Sequence, residues 1–495
     1  MTAPDSEART EGFGHKVRSG MRWSLFNSAA ARLLNVAAGL IIARVVTPGE
    51  FGTFAAGSLV MVALLSMNEL GVSVAVIRWP KDVHRVTPTA VTCALGGSVA
   101  WFAVMFAGAP LIASLLNAPD ATIVIQILSF ALVLDGLSTI PNALLMRGFR
   151  QRLRTVADLV GFLVGSPIGI VLAASGWGAA GLATGLLVSN AVTTAIIWWL
   201  APQRPRPGWN AADARNLVRW GLPAAATSLV LLAIVNVDYV VVSRVLGVTA
   251  LGFYVLAFNV ASWPWTLLSM SIRQVSLPAF SRLADDRDEL ERAFARSLTL
   301  AAGVAVLGGL LLTSLAEPVV RILYGETWLP AVVALHWLAV LGAIRVVLDL
   351  CYDLLIAVGR AGALVRVQLL WLAALIVGLP VGAHINGIAG VAVAHALVAA
   401  LIILPLHVLL LRGAGMRLGA LARAMAPVGA AAGAGGALAL AAMQVDASPL
   451  STLLGVGFVV AGAYIGVFAL VEGGRAAVAW ATARRSTEEA RPVAA

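Results

Sequence analysis

Between Arg22 and Glu472 the chain carries fourteen apolar stretches, each at or above the roughly 20 residues that a helix needs to cross a hydrocarbon core of ~30 Å. They are predicted near 22–44, 53–77, 88–117, 121–146, 155–175, 178–200, 220–243, 251–280, 294–316, 329–358, 362–383, 387–411, 421–443 and 450–471. The connectors between them alternate in charge. Of the 34 Lys and Arg residues, 28 fall in the two tails and the even connectors, as in Arg147, Arg150, Arg152 and Arg154, or Arg282, Arg287, Arg292 and Arg296. Odd connectors hold only Arg44, Arg244 and Arg321. Cytoplasmic loops retain Lys and Arg because translocating them is unfavourable, so the even connectors and both termini are expected to be cytoplasmic. Three arginines, Arg32, Arg273 and Arg345, lie inside the apolar stretches themselves.

With 60% hydrophobic residues, 12% charged residues and a mean hydropathy of +0.92, the chain is far from a soluble globule, in which about 25% of residues are charged. It reads as an all-α polytopic membrane protein. The net charge of +10 is spread over short segments instead of one stripe, which points to anionic lipid headgroups and away from nucleic acid. Cys93 and Cys351 both fall in spans and read as small core residues. The tail before Arg22 holds Asp5, Glu7 and Glu11 and lacks the apolar core of a cleavable signal, so the first span is expected to direct insertion. The longest hydrophilic stretches, near 202–217 and 282–293, are too short to fold as a domain. The only lysines, Lys16 and Lys81, stand outside any glycine-rich phosphate loop, so ATP hydrolysis is not expected.

An internal repeat follows. The segment Ala43-Arg44-Val45-Val46-Thr47-Pro48-Gly49-Glu50-Phe51-Gly52 ends the first span, and Ser243-Arg244-Val245-Leu246-Gly247-Val248-Thr249-Ala250-Leu251-Gly252 ends the seventh, with the same spacing from Arg to Gly. Arg22-Trp23 matches Arg219-Trp220, and Gly178-Ala179-Ala180-Gly181 matches Gly387-Ile388-Ala389-Gly390. These pairs imply two six-helix lobes. Six being even, both lobes enter the membrane in the same sense, which makes the repeat parallel. The expected organisation is a cytoplasmic tail at 1–21, an N-lobe of helices 1–6 at 22–201, a cytoplasmic linker at 202–218, a C-lobe of helices 7–12 at 219–411, two extra helices, 13–14, at 412–472, and a second cytoplasmic tail at 473–495.

Several of these strings, in order, carry a family resemblance. Ala43 to Gly52, Glu69-Leu70-Gly71, Val76-Ile77-Arg78, Ala143-Leu144-Leu145-Met146-Arg147, Val237-Asp238-Tyr239-Val240-Val241, Leu277-Pro278-Ala279-Phe280-Ser281-Arg282-Leu283 and Tyr324-Gly325-Glu326-Thr327-Trp328 resemble Wzx-type lipid-linked oligosaccharide flippases. These belong to the multidrug/oligosaccharidyl-lipid/polysaccharide exporter superfamily. The resemblance runs from about 20 to 410 and weakens over the last two spans. It implies two lobes alternately open to each side of a bacterial cytoplasmic membrane. It also implies an undecaprenyl-diphosphate-linked sugar as substrate, with polysaccharide polymerase or glycosyltransferases as candidate partners.

The buried charges suit such a substrate. Only the polar head of a lipid-linked oligosaccharide needs shielding, and guanidinium groups bind phosphate bidentately. Arg32 lies ten residues past Arg22, about 15 Å deep at 1.5 Å per residue, where a charge is a functional candidate by default. Ser28, Arg32 and Asn35 share a helical face. Asn259, Ser262, Ser269 and Arg273 form a second polar stripe beside Pro264. Arg32, Ser28, Asn35, Arg273, Ser269 and Asn259 are therefore the expected cavity residues. Each has a structural alternative: Arg32 paired with Glu69 or Asp135, Arg273 snorkelling to the interface, and Arg345 neutralised within its own helix by Asp349 and Asp353. Asp238 and Glu69 are candidate sites for a coupling sodium ion or proton, or else structural partners. His336, His384, His395 and His407 show no metal-ligand spacing and read as helix-packing or interfacial residues.

Other classes stay in view. A lipid II flippase shares the architecture and the diphosphate. A cation-drug antiporter of the same superfamily would favour an acidic, aromatic cavity, against which Arg32 argues. A membrane-bound polymerase would need an extramembrane loop with carboxylates, and no connector is long enough to supply one.

Overall fold

A computed structural model of the chain describes residues 34–68, 72–77, 83–148, 150–201, 206–442 and 449–489. Arg32, Ser28 and Glu69 lie outside the described residues, as do the side chains of Ser269 and Arg273. Every regular element among the described residues is a helix. In chain order they are α1 (Leu34–Val45), α2 (Pro48–Asn68), α3 (Val72–Ile77), α4 (Val83–Leu115), α5 (Ala121–Arg147), α6 (Gln151–Leu172), α7 (Gly178–Leu200), α8 (Ala211–Leu246), α9 (Val248–Leu283), α10 (Arg287–Ser314), α11 (Ala316–Leu323), α12 (Val332–Ala357), α13 (Ala361–Val398), α14 (Leu404–Gly413), α15 (Leu418–Ala442) and α16 (Pro449–Glu489). Nine helical segments among the described residues are long and apolar enough to cross a membrane. The protein is an all-α polytopic membrane protein.

Two of those segments, Arg152–Leu200 and Ala361–Gly413, are far longer than one crossing requires. Both contain a reversal at a glycine. Gly178 has φ 47 and ψ −123, and Gly387 has φ 52 and ψ −139, a backbone region that an L side chain rarely enters. These are the two glycines that open the repeated Gly-x-x-Gly string. The arms beyond each reversal pack antiparallel. A Cβ on Gly181 would lie 2.5 Å from the Ala173 nitrogen, and one on Gly165 would lie 2.6 Å from the Ser189 nitrogen. In the other hairpin a Cβ on Gly390 would strike the Gly382 carbonyl. Small residues let membrane helices approach to backbone contact, and here they weld each hairpin into a unit. Pro110, Pro141, Pro167, Pro264 and Pro380 all sit inside helices without reversing them.

The chain divides into two compact units, the first comprising the described residues up to Leu232 together with Gly247–Gly252, the second Ala233–Leu246 with Phe253 onward. In the first unit, α2 starts with a capping box. Glu50 Oε2 accepts from the Thr47 nitrogen at 2.8 Å, and Thr47 Oγ1 accepts from the Glu50 nitrogen at 3.3 Å, with Pro48 at the first helical position. Arg147 closes the end of α3 by donating to the carbonyls of Val76 and Ile77, each at 3.1 Å. The segment before α8 is tied to α4: Thr92 Oγ1 donates to the Gly208 carbonyl at 2.7 Å, and the Asn210 nitrogen donates to Thr89 Oγ1 at 3.0 Å. Asn210 Oδ1 then accepts from the nitrogens of Ala212 and Asp213, so α8 starts at Ala211, inside the stretch read from sequence as a linker. Gly247–Gly252 joins this unit by close backbone approach. A Cβ on Gly52 would run into the Val248 carbonyl, and one on Gly252 into the Pro48 carbonyl.

The second unit is built on α9, α10 and α12. Phe280, Phe294, Leu298, Val346, Leu350 and Cys351 fill its core, and Phe280 meets Phe294 edge-on at 5.8 Å. The hydrophilic stretch near 282–293 is largely helix, because Asp286 caps α10 by accepting from the Glu289 nitrogen at 3.0 Å. Arg417 binds both oxygens of the buried Glu291, at 3.0 and 3.1 Å, and Asp288 at 2.6 Å. Glu291 first, and Asp288 after it, hold the exposed Arg417 guanidinium above its ordinary range.

Candidate functional site

Burying a charge in an apolar helix bundle is costly unless a partner and hydrogen bonds meet it. The second unit contains such a meeting point. Asp238 on α8 is fully buried, Arg345 on α12 is 7% exposed, and His395 on the second arm of α13 is fully buried. Asp238 Oδ2 accepts from the Tyr254 hydroxyl at 3.0 Å, and its Oδ1 from the Tyr239 nitrogen at 3.0 Å. His395 Nδ1 faces Asp238 Oδ2 at 3.6 Å, while Arg345 Nη2 lies 3.3 Å from His395 Nε2. The Arg345 guanidinium also stands over two aromatic rings, 5.3 Å from the Trp265 centroid and 5.5 Å from that of Phe258, where the ring faces favour a cation.

Local sequence sets up each part, and tertiary packing joins them. Tyr254, Phe258 and Trp265 recur along α9 near helical spacing and turn one aromatic edge to the network. Tyr239 adds a T-shaped contact with Phe258 at 5.6 Å. The glycine reversal at Gly387 sends the second arm of α13 back so that His395, eight residues on, comes level with Arg345. With the imidazole neutral, one carboxylate and one guanidinium flank it; a second proton on the ring places two cations beside one carboxylate.

Arg345 also has a partner outside its own helix. Arg345 turns to His395 on α13. Asp349 accepts from Trp265 Nε1 at 3.3 Å, and Asp353 from Ser276 Oγ at 2.5 Å. Helical spacing puts the three ions on one face, and neighbouring helices add a donor to each carboxylate. Of the other sequence-stated candidates, Asn35 is exposed at the start of α1, and Asn259 is exposed on α9. Asp135 is half-buried on α5, where its backbone carbonyl accepts from Ser138 and Thr139 hydroxyls. His395 and Tyr254 are the site residues that sequence reading passed over. His395 looked like any other intramembrane histidine because both of its partners come from other helices.

A multi-span helical bundle with an ion network sealed in one of its units has the build of a membrane transporter. The chain belongs to the polysaccharide biosynthesis protein family, which matches residues 41–333. Among its relatives, the lipopolysaccharide biosynthesis protein WzxC of Escherichia coli (strain K12) is 28% identical over 400 residues, 77% of this chain and 78% of that protein. The succinoglycan biosynthesis transport protein ExoT of Rhizobium meliloti (strain 1021) is 24% identical over 63% of each chain. In fold, the chain is similar to the lipid II flippase MurJ in an inward closed conformation, with a TM-score of 0.74 and 13% identity over 90% of this chain and 98% of that one. It is also similar to an inward-facing multidrug resistance transporter of the MATE family, with a TM-score of 0.61 and 18% identity over 77% of this chain and 95% of that one.

Proposed function

We propose that this protein is a flippase that moves a polyprenyl-diphosphate-linked oligosaccharide from the cytoplasmic to the outer leaflet of a bacterial cytoplasmic membrane by alternating access. The observation that carries the reading is the family match across 41–333, with relatives named for lipopolysaccharide and succinoglycan biosynthesis. The physics of the substrate agrees with a bundle of membrane-spanning helices. The polyprenyl tail stays in lipid, so the protein must lower the barrier only for sugars and diphosphate. Arg32, with Ser28 and Asn35 on its helical face, is the proposed diphosphate contact, and Arg273, Ser269 and Asn259 are its proposed counterparts on α9. The Lys/Arg alternation supports cytoplasmic termini. Enzymes that assemble the lipid-linked unit, or polymerise it after transfer, are the proposed partners.

A lipid II flippase is the second reading, favoured by the fold similarity to MurJ. One experiment separates the two. The full chain in liposomes is supplied with a fluorescent undecaprenyl-diphosphate oligosaccharide or with fluorescent lipid II, and transfer to the other leaflet is followed by membrane-impermeant quenching. Transfer of the oligosaccharide carrier alone supports the first reading. Transfer of lipid II alone replaces it with the second, and transfer of neither removes both.

A further inference from the structure

The buried network fixes its own protonation. Arg345 has only N–H donors, so the His395 Nε2 that it faces at 3.3 Å presents a lone pair. The proton of the neutral imidazole then sits on Nδ1, toward Asp238 Oδ2 at 3.6 Å. That distance is too long for a hydrogen bond, and Nδ1 is a buried nitrogen with no hydrogen-bond partner although a carboxylate stands in front of it. The imidazole is underbonded at Nδ1.

A second proton on His395 has one place to go, Nε2. There it removes the lone pair that Arg345 uses and sets an imidazolium beside a guanidinium, so the Arg345–His395 contact breaks. The imidazolium gains Asp238 as a charged partner with the 3.6 Å gap left to close. Arg345 has a second carboxylate to turn to. Its guanidinium already borders a crevice lined by Phe258, Ser262, Trp265, Leu338 and Leu341, and Asp349 lies one turn along α12, held by Trp265. The groups that face this exchange are Asp238 and Tyr239 from α8, Tyr254 from α9, and Arg345 and Asp349 from α12. His407 on α14, whose ring is held at the Ile403 carbonyl, is a further titratable group that senses Asp349. A sodium ion fits this setting less well than a proton, because hard cations need several oxygen ligands and both Asp238 oxygens are already engaged.

We infer that His395 is a proton-binding site of this protein, and that protonation at Nε2 exchanges the Arg345–His395 contact for an Asp238–His395 ion pair and frees Arg345 from α13. A proton taken from water on one side thereby re-sorts the contacts among α8, α12 and α13, the kind of local charge event that biases a two-state element. Its link to transport rests on the flippase reading. The protonation itself does not.

The test has two readouts on the full chain in lipid bilayers. In ¹⁵N-histidine spectra, with His395 assigned by the signal lost in His395→Gln, the expected state at alkaline pH is the Nδ1–H tautomer, converting to the doubly protonated ring as the pH is lowered. Asp238→Asn abolishes that conversion. An Nε2–H tautomer at the start, or a ring that stays neutral throughout in the parent chain, overturns the inference without recourse to any variant. In the second readout, an imposed pH gradient accelerates transfer of the fluorescent undecaprenyl-diphosphate oligosaccharide several-fold in the parent, and the acceleration disappears in His395→Gln. Transfer that ignores the gradient in the parent overturns the coupling. If His395 titrates as expected and no lipid carrier is transferred under any gradient, the proton site stands and the flippase reading falls.

Discussion

Gly52 and Gly252, equivalent positions of the internal repeat, pack backbone to backbone, each leaving no room for a Cβ against the carbonyl of the residue four before the other. The duplicated strings that sequence aligned end on the pair of glycines that let α2 meet the start of α9. A valine at either position must push the two apart, at a cost of about 1–3 kcal/mol typical of overpacking. Gly52→Val and Gly252→Val are expected to lower oligosaccharide transfer in liposomes sharply. Gly433→Val on α15, where a Cβ meets nothing within 4 Å, serves as the control and transfers at the parental rate.

The helical hairpins depend on the same absence of a side chain. A Cβ on Gly185 would lie 2.7 Å from the Gly165 carbonyl, which is backbone and cannot rotate away. Gly185→Ala is expected to reduce stability by about 1–3 kcal/mol, read as a lower melting temperature of the detergent-purified protein. Gly390→Ala, against the Gly382 carbonyl, should behave alike.

Tyr254 is fully buried and is a hydroxyl donor to Asp238. Removing it leaves a carboxylate oxygen in an apolar bundle with one donor fewer, a loss of about 1–3 kcal/mol. Tyr254→Phe keeps the ring and its contact with Tyr239 at 6.1 Å, so a fall in melting temperature without a change in α-helical circular dichroism is the expected result. An unchanged melting temperature would show that the hydroxyl contributes little.

The proposed diphosphate contact rests on Arg32. Arg32→Ala is expected to abolish surface polysaccharide in cells while the protein still inserts, measured by membrane fractionation beside polymer staining. Arg32→Lys keeps the charge but loses the bidentate fork, and an intermediate level of polymer is expected. Normal polymer in Arg32→Ala would remove the clamp while leaving the fold untouched.

Arg417 gives a pH expectation outside the membrane. Its guanidinium is raised above the usual range by Glu291 first and Asp288 next. A group whose folded pKa is raised stabilises fully below its unfolded value and loses that contribution only as pH climbs through the folded one. Deprotonation of Arg417 therefore removes nothing between about pH 6 and about pH 9. Arg417→Ala should melt below the parent by a similar margin at both values, and by less in high salt, because the pair is exposed and screened.

Much of the second unit was legible before any coordinates. Asp238 and Arg345 stood out because an ion in an apolar span is rare, and the repeated Gly-x-x-Gly strings proved to mark two backbone reversals with nearly equal angles. Spacing within one helix placed Arg345, Asp349 and Asp353 on a shared face, but it does not say what stands opposite. Across the helix interfaces, Trp265 and Ser276 donate to those carboxylates, and Arg345 meets His395. His395 itself carried no local mark that set it apart from His336, His384 or His407.

Hydropathy, charge alternation and glycine spacing are properties of short stretches, so the sequence by itself determined a many-spanned helical membrane protein, the places where its chain reverses and the ions that its interior must accommodate. Which of those ions meet was decided only by tertiary structure. That choice depends on the rotation and depth of each helix against its neighbours, quantities set by side-chain packing across segments far apart in the chain. A carboxylate on α8, a guanidinium on α12 and an imidazole on α13 become one network only when three helices are already in place.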